Sequence, residues 1–161
     1  MKRNLFVIVL VAGLSFAGRA QSDKEDVRIA LALLNKNKKE LITRSIELND
    51  AQKSAFWKLY DEYEDKYNNL LTERLGIIQQ FVTAYDSLGD ATASSIAERI
   101  LKNTLQLDEL HMSYFPKFKK AIGGTKAATL YQMELYIQTA LQFKLQNELP
   151  MIGELRKVEN Q

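Results

Sequence analysis

Between residues 49 and 88, apolar side chains recur at alternating steps of four and three residues. Ten positions on this spacing run from Phe56 to Leu88, and nine of them are apolar or aromatic, Arg74 being the exception. Such a period places its members on one face of an α-helix, so the segment predicts a single long helix. At about 1.5 Å per residue this helix would extend for roughly 60 Å. Other helices or a second copy of the chain must therefore cover its apolar face.

The same periodicity predicts three further helices, at residues 22–48, about 91–122 and about 126–149. Poor helix formers between Asn35 and Lys39 interrupt the first of them and predict a bend or a split there. Apolar residues do not alternate as they do in strands, and the chain has only seven glycines and two prolines. The expected fold class is therefore all-α, an elongated four-helix, hairpin-like arrangement around one long central helix.

The connections between the predicted helices contain specific stop and start signals. Gly89 is expected to end the long helix in a left-handed conformation, and Asp90 is expected to cap the helix that follows. Pro116 lacks a backbone N–H and predicts a kink or a break near Phe115. The glycine pair at 123–124 ends the third helix.

Two helices carry apolar residues beside their main stripes. In the third helix these residues broaden the predicted buried seam, and they include Leu101, Leu105, Met112 and Phe115. In the fourth helix, Tyr131, Tyr136 and Phe143 lie partly off the stripe, so some exposed aromatic surface is expected there.

A reciprocal side-chain motif marks the start of the long helix. Asn49 is spaced to accept a hydrogen bond from the backbone N–H of Gln52, and the Gln52 side chain is spaced to accept one from the backbone N–H of Asn49. Leu48 precedes this capping box and is placed to pack under the turn. The pattern predicts that the helix begins at Asn49.

The N-terminus has the pattern of a secretory signal peptide, with Lys2 and Arg3 before an apolar run at residues 5–16. Small residues favour cleavage after Ala20, with cleavage after Ala17 as the alternative. The apolar run is short for a bilayer span of ~20 residues, which argues against an uncleaved anchor. We expect a signal peptide at residues 1–20, a single all-helical periplasmic domain at 21–161, and no stable membrane anchor after cleavage.

The formal net charge of +2 depends largely on the signal segment. Loss of Lys2, Arg3 and Arg19 leaves 19 basic residues against 20 acidic ones, a net charge of −1. Bulk charge therefore gives no reason to expect a nucleic-acid partner. The chain contains no cysteine, which excludes disulfides and thiolate metal sites.

Side chains suited to catalysis are few. His111 is the only histidine, and Asp108 precedes it by about one helical turn, so the pair could hold a weak metal ion. A partly buried histidine on the seam between Leu107 and Tyr114 is the favoured interpretation. The sequence contains no H-E-x-x-H, glycine-rich phosphate loop or G-x-S-x-G motif. We therefore expect a protein that is not an enzyme and that has no cofactor.

The segment LNDAQ at residues 48–52 resembles the L-T-x-x-Q motif of the Spy/CpxP family of exported helical proteins, with Asn49 in place of the threonine. This resemblance implies a non-enzymatic, ATP-independent periplasmic protein. Its expected function is either a chaperone-like cradle for partly unfolded envelope proteins or a stress adaptor that docks on an envelope sensor protein. We also expect a homodimer formed by pairing of the long helices.

Candidate contact residues for clients or partners lie in an aromatic cluster of the long helix and in a lysine-rich run of the first helix: Trp57, Tyr60, Tyr63, Tyr67, Lys36, Lys38 and Lys39. The aromatic rings either present an adaptable surface or form the core at helical spacing. The lysines either contact acidic partners or form a solvated face.

Two alternative functions remain open at this point. One is a dedicated structural or regulatory interaction module with a single partner. The other is a metal sensor, which would need carboxylates together with Met112 or Met133 as ligands. An organised cluster of polar groups around His111 in a closed cleft would argue against a protein that only presents a binding surface.

Overall fold

The computed structural model describes residues 22–148, so the predicted signal peptide with its two cleavage sites and the C-terminal tail lie outside the described residues. Four α-helices follow one another: α1 (Ser22–Ser45), α2 (Asp50–Ala84), α3 (Asp90–Ile122) and α4 (Gly124–Glu148). A short 3₁₀ helix, Tyr85–Ser87, connects α2 to α3. No strand occurs between residues 22 and 148. The prediction of an all-α fold with four helices is confirmed.

The chain divides into two compact units. Within the described residues the first unit consists of α1, and the second begins at Ile46 and contains α2, α3 and α4. α1 is continuous through residues 35–39, so the predicted split does not occur. The penalty for residues such as Asn and Lys inside a helix is only a few tenths of a kcal/mol each, roughly up to 0.7 kcal/mol, which is too small to break it.

In the second unit, α2 and α3 run antiparallel, and α4 returns alongside both. The ring centroids of Phe56 and Phe118 are 5.9 Å apart near one end, and Arg99 donates a hydrogen bond to Gln80 near the other. Lys126, at the start of α4, donates to the Gln52 side chain at 3.3 Å. The core lies between the three helices, and its buried side chains include Phe56, Tyr60, Tyr63, Ile77, Tyr114, Phe118 and Leu130.

The predicted capping box is confirmed at the start of α2. The Asn49 Oδ1 accepts a hydrogen bond of 2.9 Å from the Gln52 backbone N–H, and the Gln52 Oε1 accepts one of 3.3 Å from the Asn49 backbone N–H. Leu48 is half-buried beside them. Because these bonds occupy backbone donors that no helical turn can satisfy, the helix begins here.

The glycine prediction at the α2–α3 connection was wrong. Gly89 has φ −90° and ψ 163° and occupies the N-cap position of α3, with Asp90 as the first helical residue. The Gly89 carbonyl accepts a hydrogen bond from the Ala93 N–H, and α2 ends instead through the 3₁₀ helix. The left-handed φ of 88° belongs to Gly123, which ends α3.

Pro116 lies inside α3, which continues without a break to Ile122. Of the predicted kink or break, the break does not occur, and the kink stays a prediction. Pro116 is exposed, as is Met112 four residues earlier. The carbonyl that loses its helical partner at Met112 thus lies on the side that water reaches, which limits the penalty of the proline.

Candidate functional site

The structure buries three of the four aromatic residues that were expected to contact clients. The exposed fractions of Tyr60, Tyr63 and Tyr67 are 0%, 2% and 2%, whereas Trp57 is half-buried. Their assignment as client-contact residues was therefore wrong, and their interpretation as core is confirmed. Each ring carries roughly 150–250 Å² of surface, and α3 and α4 cover it. Trp57 stays a prediction as a contact residue.

The lysine-rich run of α1 divides in a similar way. The Lys38 side chain is 1% exposed, so its assignment to an open contact surface was wrong. Ile42, one helical turn later on the same face, is equally buried, and a long lysine stem can be buried together with such a face. Lys36 is exposed and Lys39 is half-buried, and both stay predictions.

Tyr63 lies at the centre of the buried aromatic cluster. Its ring centroid is 5.6 Å from that of Tyr114 and 5.8 Å from that of Phe118, the latter in an edge-to-face arrangement. Trp57 packs edge-to-face against Tyr60 at 5.7 Å. Aromatic pairs of this geometry each contribute about 0.5–1.5 kcal/mol beyond the burial of their area. The cluster therefore stabilises the packing of α2 on α3.

A buried hydrogen-bond network joins α2, α3 and α4 within this cluster. The Tyr60 hydroxyl donates to the Glu134 Oε1 at 2.7 Å, and the Tyr63 hydroxyl donates to the Glu134 Oε2 at 3.3 Å. His111 Nε2 is 3.1 Å from the Tyr63 oxygen. Because Tyr63 has one hydroxyl hydrogen and gives it to Glu134, its oxygen accepts from His111, which places a hydrogen on Nε2.

The tyrosines of this network keep their protons. Burial raises the pKa of Tyr60 and Tyr63 well above the ordinary value for a phenol, and the Glu134 carboxylate raises both further. Burial and then Glu134 act in the same direction on the pKa of Tyr67. Both hydroxyls that contact Glu134 therefore remain protonated hydrogen-bond donors at neutral pH, and neither is a base or a nucleophile.

His111 is buried, with 8% of its surface exposed, as the favoured interpretation of the sequence held. Asp108 is exposed, and His111 contacts the Tyr63 hydroxyl through Nε2 and the Tyr131 ring through its imidazole. A small void beside the network is lined by His111, Tyr63, Tyr131, Glu134 and neighbouring apolar side chains. Its volume of about 20 Å³ is room for one water molecule.

An organised polar cluster around His111 was the observation that would argue against a protein that only presents a surface. The cluster exists, but the void beside it is too small for an organic substrate. Within residues 22–148, no three His, Asp or Glu side chains are grouped so that they could hold a metal ion. The polar cluster is a buried hydrogen-bond network that joins three helices.

A second polar contact explains the one break in the apolar seam of α2. The Arg74 Nε donates to the Asn103 Oδ1 at 2.9 Å, and its Nη2 donates to the Thr104 hydroxyl. Asn103 is fully buried and donates to the Leu70 carbonyl at 2.9 Å. Burial lowers the pKa of Arg74. Because these groups satisfy one another, the seam tolerates a charged residue.

The exposed apolar side chains lie on α3 and α4. On α3 they form a row at helical spacing, here called the α3 stripe, with exposed fractions of 69%, 58%, 76% and 38% for Leu101, Leu105, Met112 and Phe115. The prediction that these residues broaden the buried seam was wrong. They lie about a third of a turn away from the buried row that contains Leu107 and Tyr114, and no helix of the second unit covers them.

On α4 the exposed side chains agree with the expectation of exposed aromatic surface. Exposed fractions are 41% for Tyr131, 62% for Tyr136 and 66% for Phe143, and Leu135 adds 44%. The rings of Phe115 and Tyr131 pack edge-to-face at 6.3 Å, so the exposed surface is continuous from α3 to α4.

Comparison with known proteins adds no relative to this description. No family model, curated protein or solved structure matches the chain. Within residues 22–148, no helix combines the length and the hydropathy that a bilayer span requires. The resemblance to the Spy/CpxP family stays a prediction.

Proposed function

We propose that the protein is a non-enzymatic periplasmic binding protein, either chaperone-like or an envelope-stress adaptor. It would hold partly unfolded or partner proteins against the α3 stripe, in a helical arrangement similar to that of the Spy/CpxP family. The observation that carries this proposal is the stripe itself. It replaces the buried tyrosines of α2 as the candidate contact surface.

The size of the stripe supports a binding surface. With roughly 200 Å² for a large side chain, the exposed fractions of its four residues correspond to on the order of 500 Å². The largest apolar patch on a typical soluble monomer is about 300–600 Å² and is often functional. Met112, the most exposed of the four, adapts its shape to different partners.

Charged residues of both signs border the stripe. Glu98, Lys102, Glu109 and Lys119 are exposed positions of α3 near it, and the exposed Asp108 lies within the row, between Leu105 and Met112. An apolar centre with a mixed charged rim is the usual composition of a protein-binding surface. It gives no preference for strongly acidic or strongly basic partners.

The area of the α3 stripe indicates that a protein bound there would be held weakly and reversibly. At about 25 cal/mol per Å², covering on the order of 500 Å² of apolar surface contributes roughly 12 kcal/mol. Association itself costs about 4–15 kcal/mol, so the net affinity is modest. This suits a protein that holds and releases clients without ATP.

The decisive experiment measures the aggregation of several chemically denatured enzymes by light scattering, with and without stoichiometric amounts of the protein. We expect suppression by the wild type and a loss of at least fivefold in Leu105→Lys/Met112→Lys, because lysines place charge on the apolar surface. Ser95→Lys/Ser113→Lys, which adds the same charge at two exposed positions of α3 about a third of a turn from the stripe, is the matched control and should retain full activity.

Absence of suppression with every client would remove the chaperone version of the proposal. A photo-crosslinking side chain at Met112 separates the remaining versions in cells, since a chaperone gives many adducts and an adaptor gives one. Equal activity of the wild type and the double lysine variant of the stripe would show that the stripe is not the contact surface. Sequencing the N-terminus of the mature protein tests the expected export. Cleavage after Ala20 leaves Gln21 as the first residue, and cleavage after Ala17 leaves Gly18.

A further inference from the structure

The outer side of α4 differs from the outer sides of α2 and α3 in charge. Between residues 127 and 143 the only charged residue is Glu134, and it is 4% exposed. All nine exposed positions in this interval are uncharged: Ala128, Tyr131, Gln132, Leu135, Tyr136, Thr139, Ala140, Gln142 and Phe143. These nine residues are called the α4 outer face below.

The contrast with the neighbouring helices is large. Eight of the sixteen exposed residues of α2 are charged, and so are eight of the nineteen exposed residues of α3. A helix face in contact with water is normally rich in charge. Depletion of charge together with enrichment in tyrosine and phenylalanine is instead typical of the centre of a protein–protein interface.

We propose that the α4 outer face pairs with the α4 outer face of a second copy of this chain. A twofold interface brings the same surface patch of both copies together. A charged residue close to the twofold axis would therefore meet its own copy, and the two like charges would destabilise the pairing. A face of nine exposed residues that contains no charge avoids this repulsion whichever residue lies nearest the axis, whereas recognition of an acidic or basic partner would require charges on it.

The area of the face is sufficient for a reversible dimer. Its four large side chains are slightly more than half exposed on average, which corresponds to on the order of 400 Å² at roughly 200 Å² each. The five smaller residues between them raise the total to on the order of 600 Å² per copy, or about 1,200 Å² for both. Specific interfaces bury about 1,200–2,000 Å², so the pairing lies at the weak end of that range.

This pairing differs from the one expected from the sequence, in which the long helices pair. The apolar seam of α2 contributes Tyr60, Tyr63 and Tyr67 to the core of its own unit. A dimer through α2 would therefore have to use its exposed side, where half of the residues are charged. The α4 outer face has no such obstacle. It shares no residue with the α3 stripe, on which the proposed function rests, and the two surfaces meet where Tyr131 packs against Phe115.

Sedimentation equilibrium of the purified protein between about 1 and 200 µM tests the proposal. We expect a monomer–dimer equilibrium with a dissociation constant in the micromolar range. In Tyr136→Lys/Phe143→Lys this constant should rise at least tenfold, because each copy brings two positive charges to the interface between the two α4 helices. Asn69→Lys/Thr83→Lys, which adds the same charge to exposed positions of α2, should leave it unchanged. Circular dichroism confirms that both variants fold.

The absence of cysteine allows a second, independent measurement. Single cysteines at Gln132, Tyr136, Thr139 and Phe143 sample the face at helical spacing, and the one nearest the twofold axis should form an intermolecular disulfide under mild oxidation. Lys58→Cys, on the exposed side of α2, is the control that should stay monomeric.

Three results would overturn the proposal. One is a monomeric mass over the whole concentration range. Another is a dimer that the α4 lysine variant leaves intact. The last is cross-linking through α2 but through none of the four α4 positions. None of these results bears on aggregation suppression by the α3 stripe, so the two proposals fail separately.

Discussion

Removal of the Tyr60 hydroxyl is expected to destabilise the protein although it changes only one atom. In Tyr60→Phe the ring keeps its packing against Trp57 and Phe118, and only the hydrogen bond to Glu134 is lost. Tyr60 is fully buried and Glu134 is 4% exposed, so bulk water has little access to the lost bond. The substitution therefore isolates one bond of the network that joins α2 to α4.

The charge of the acceptor sets the magnitude. A hydrogen bond to a charged group contributes about 1.5–3 kcal/mol, against about 0.5–1.5 kcal/mol for a neutral pair. The Tyr60–Glu134 distance of 2.7 Å is typical of the stronger class. We expect Tyr60→Phe to lower the free energy of unfolding by about 2 kcal/mol.

Urea unfolding at pH 7 measures this change, followed by circular dichroism and by fluorescence of Trp57, the single tryptophan, which contacts Tyr60. Tyr136→Phe is the matched control: its hydroxyl belongs to a residue that is 62% exposed, so the change should stay within about 0.5 kcal/mol. In a Glu134→Gln background the acceptor is neutral, and Tyr60→Phe should then cost only about 1 kcal/mol.

Equal costs of Tyr60→Phe in the wild-type and Glu134→Gln backgrounds would refute the reasoning, because the charge of the acceptor would then be irrelevant. A cost no larger than that of Tyr136→Phe would refute it more directly. Either result would mean that the hydrogen bond from the Tyr60 hydroxyl to Glu134 does not stabilise the fold in the way proposed.

Three further predictions concern other parts of the fold. Because burial raises the pKa of the three buried tyrosines of α2, their contribution to stability should be constant below about pH 10 and should fall above it by about 1.4 kcal/mol per pH unit for each. Their phenolate absorbance should appear only on unfolding, and phenolates that form in the folded protein would contradict this. Asn49→Ala should lower the urea unfolding free energy by about 1 kcal/mol, while Ser54→Ala, inside α2, should not. Asn103→Ala should cost about 2 kcal/mol, since it removes the acceptor of the Arg74 Nε and the second hydrogen bond of the Leu70 carbonyl, and it leaves a space in the core; a change below about 0.5 kcal/mol would contradict the buried network.

The sequence by itself determined the class of the fold and most helix ends. The apolar period of α2 and the reciprocal bonds of Asn49 and Gln52 depend on residues three or four positions apart, so they can be read along the chain. The end of α3 at the glycine pair is local in the same sense. The prediction that Gly89 ends α2 was wrong because the 3₁₀ helix before it already ends α2, which leaves Gly89 as the N-cap of α3.

Only the tertiary structure decided which faces are buried. The spacing of Tyr60 and Tyr63 allowed both a core and a contact surface, and the return of α4 resolved this by placing Glu134 against their hydroxyls from 74 and 71 residues away. The same return left the α3 stripe uncovered. Periodicity shows that a helix has an apolar face, but burial depends on which neighbour covers it, and that neighbour is distant in sequence.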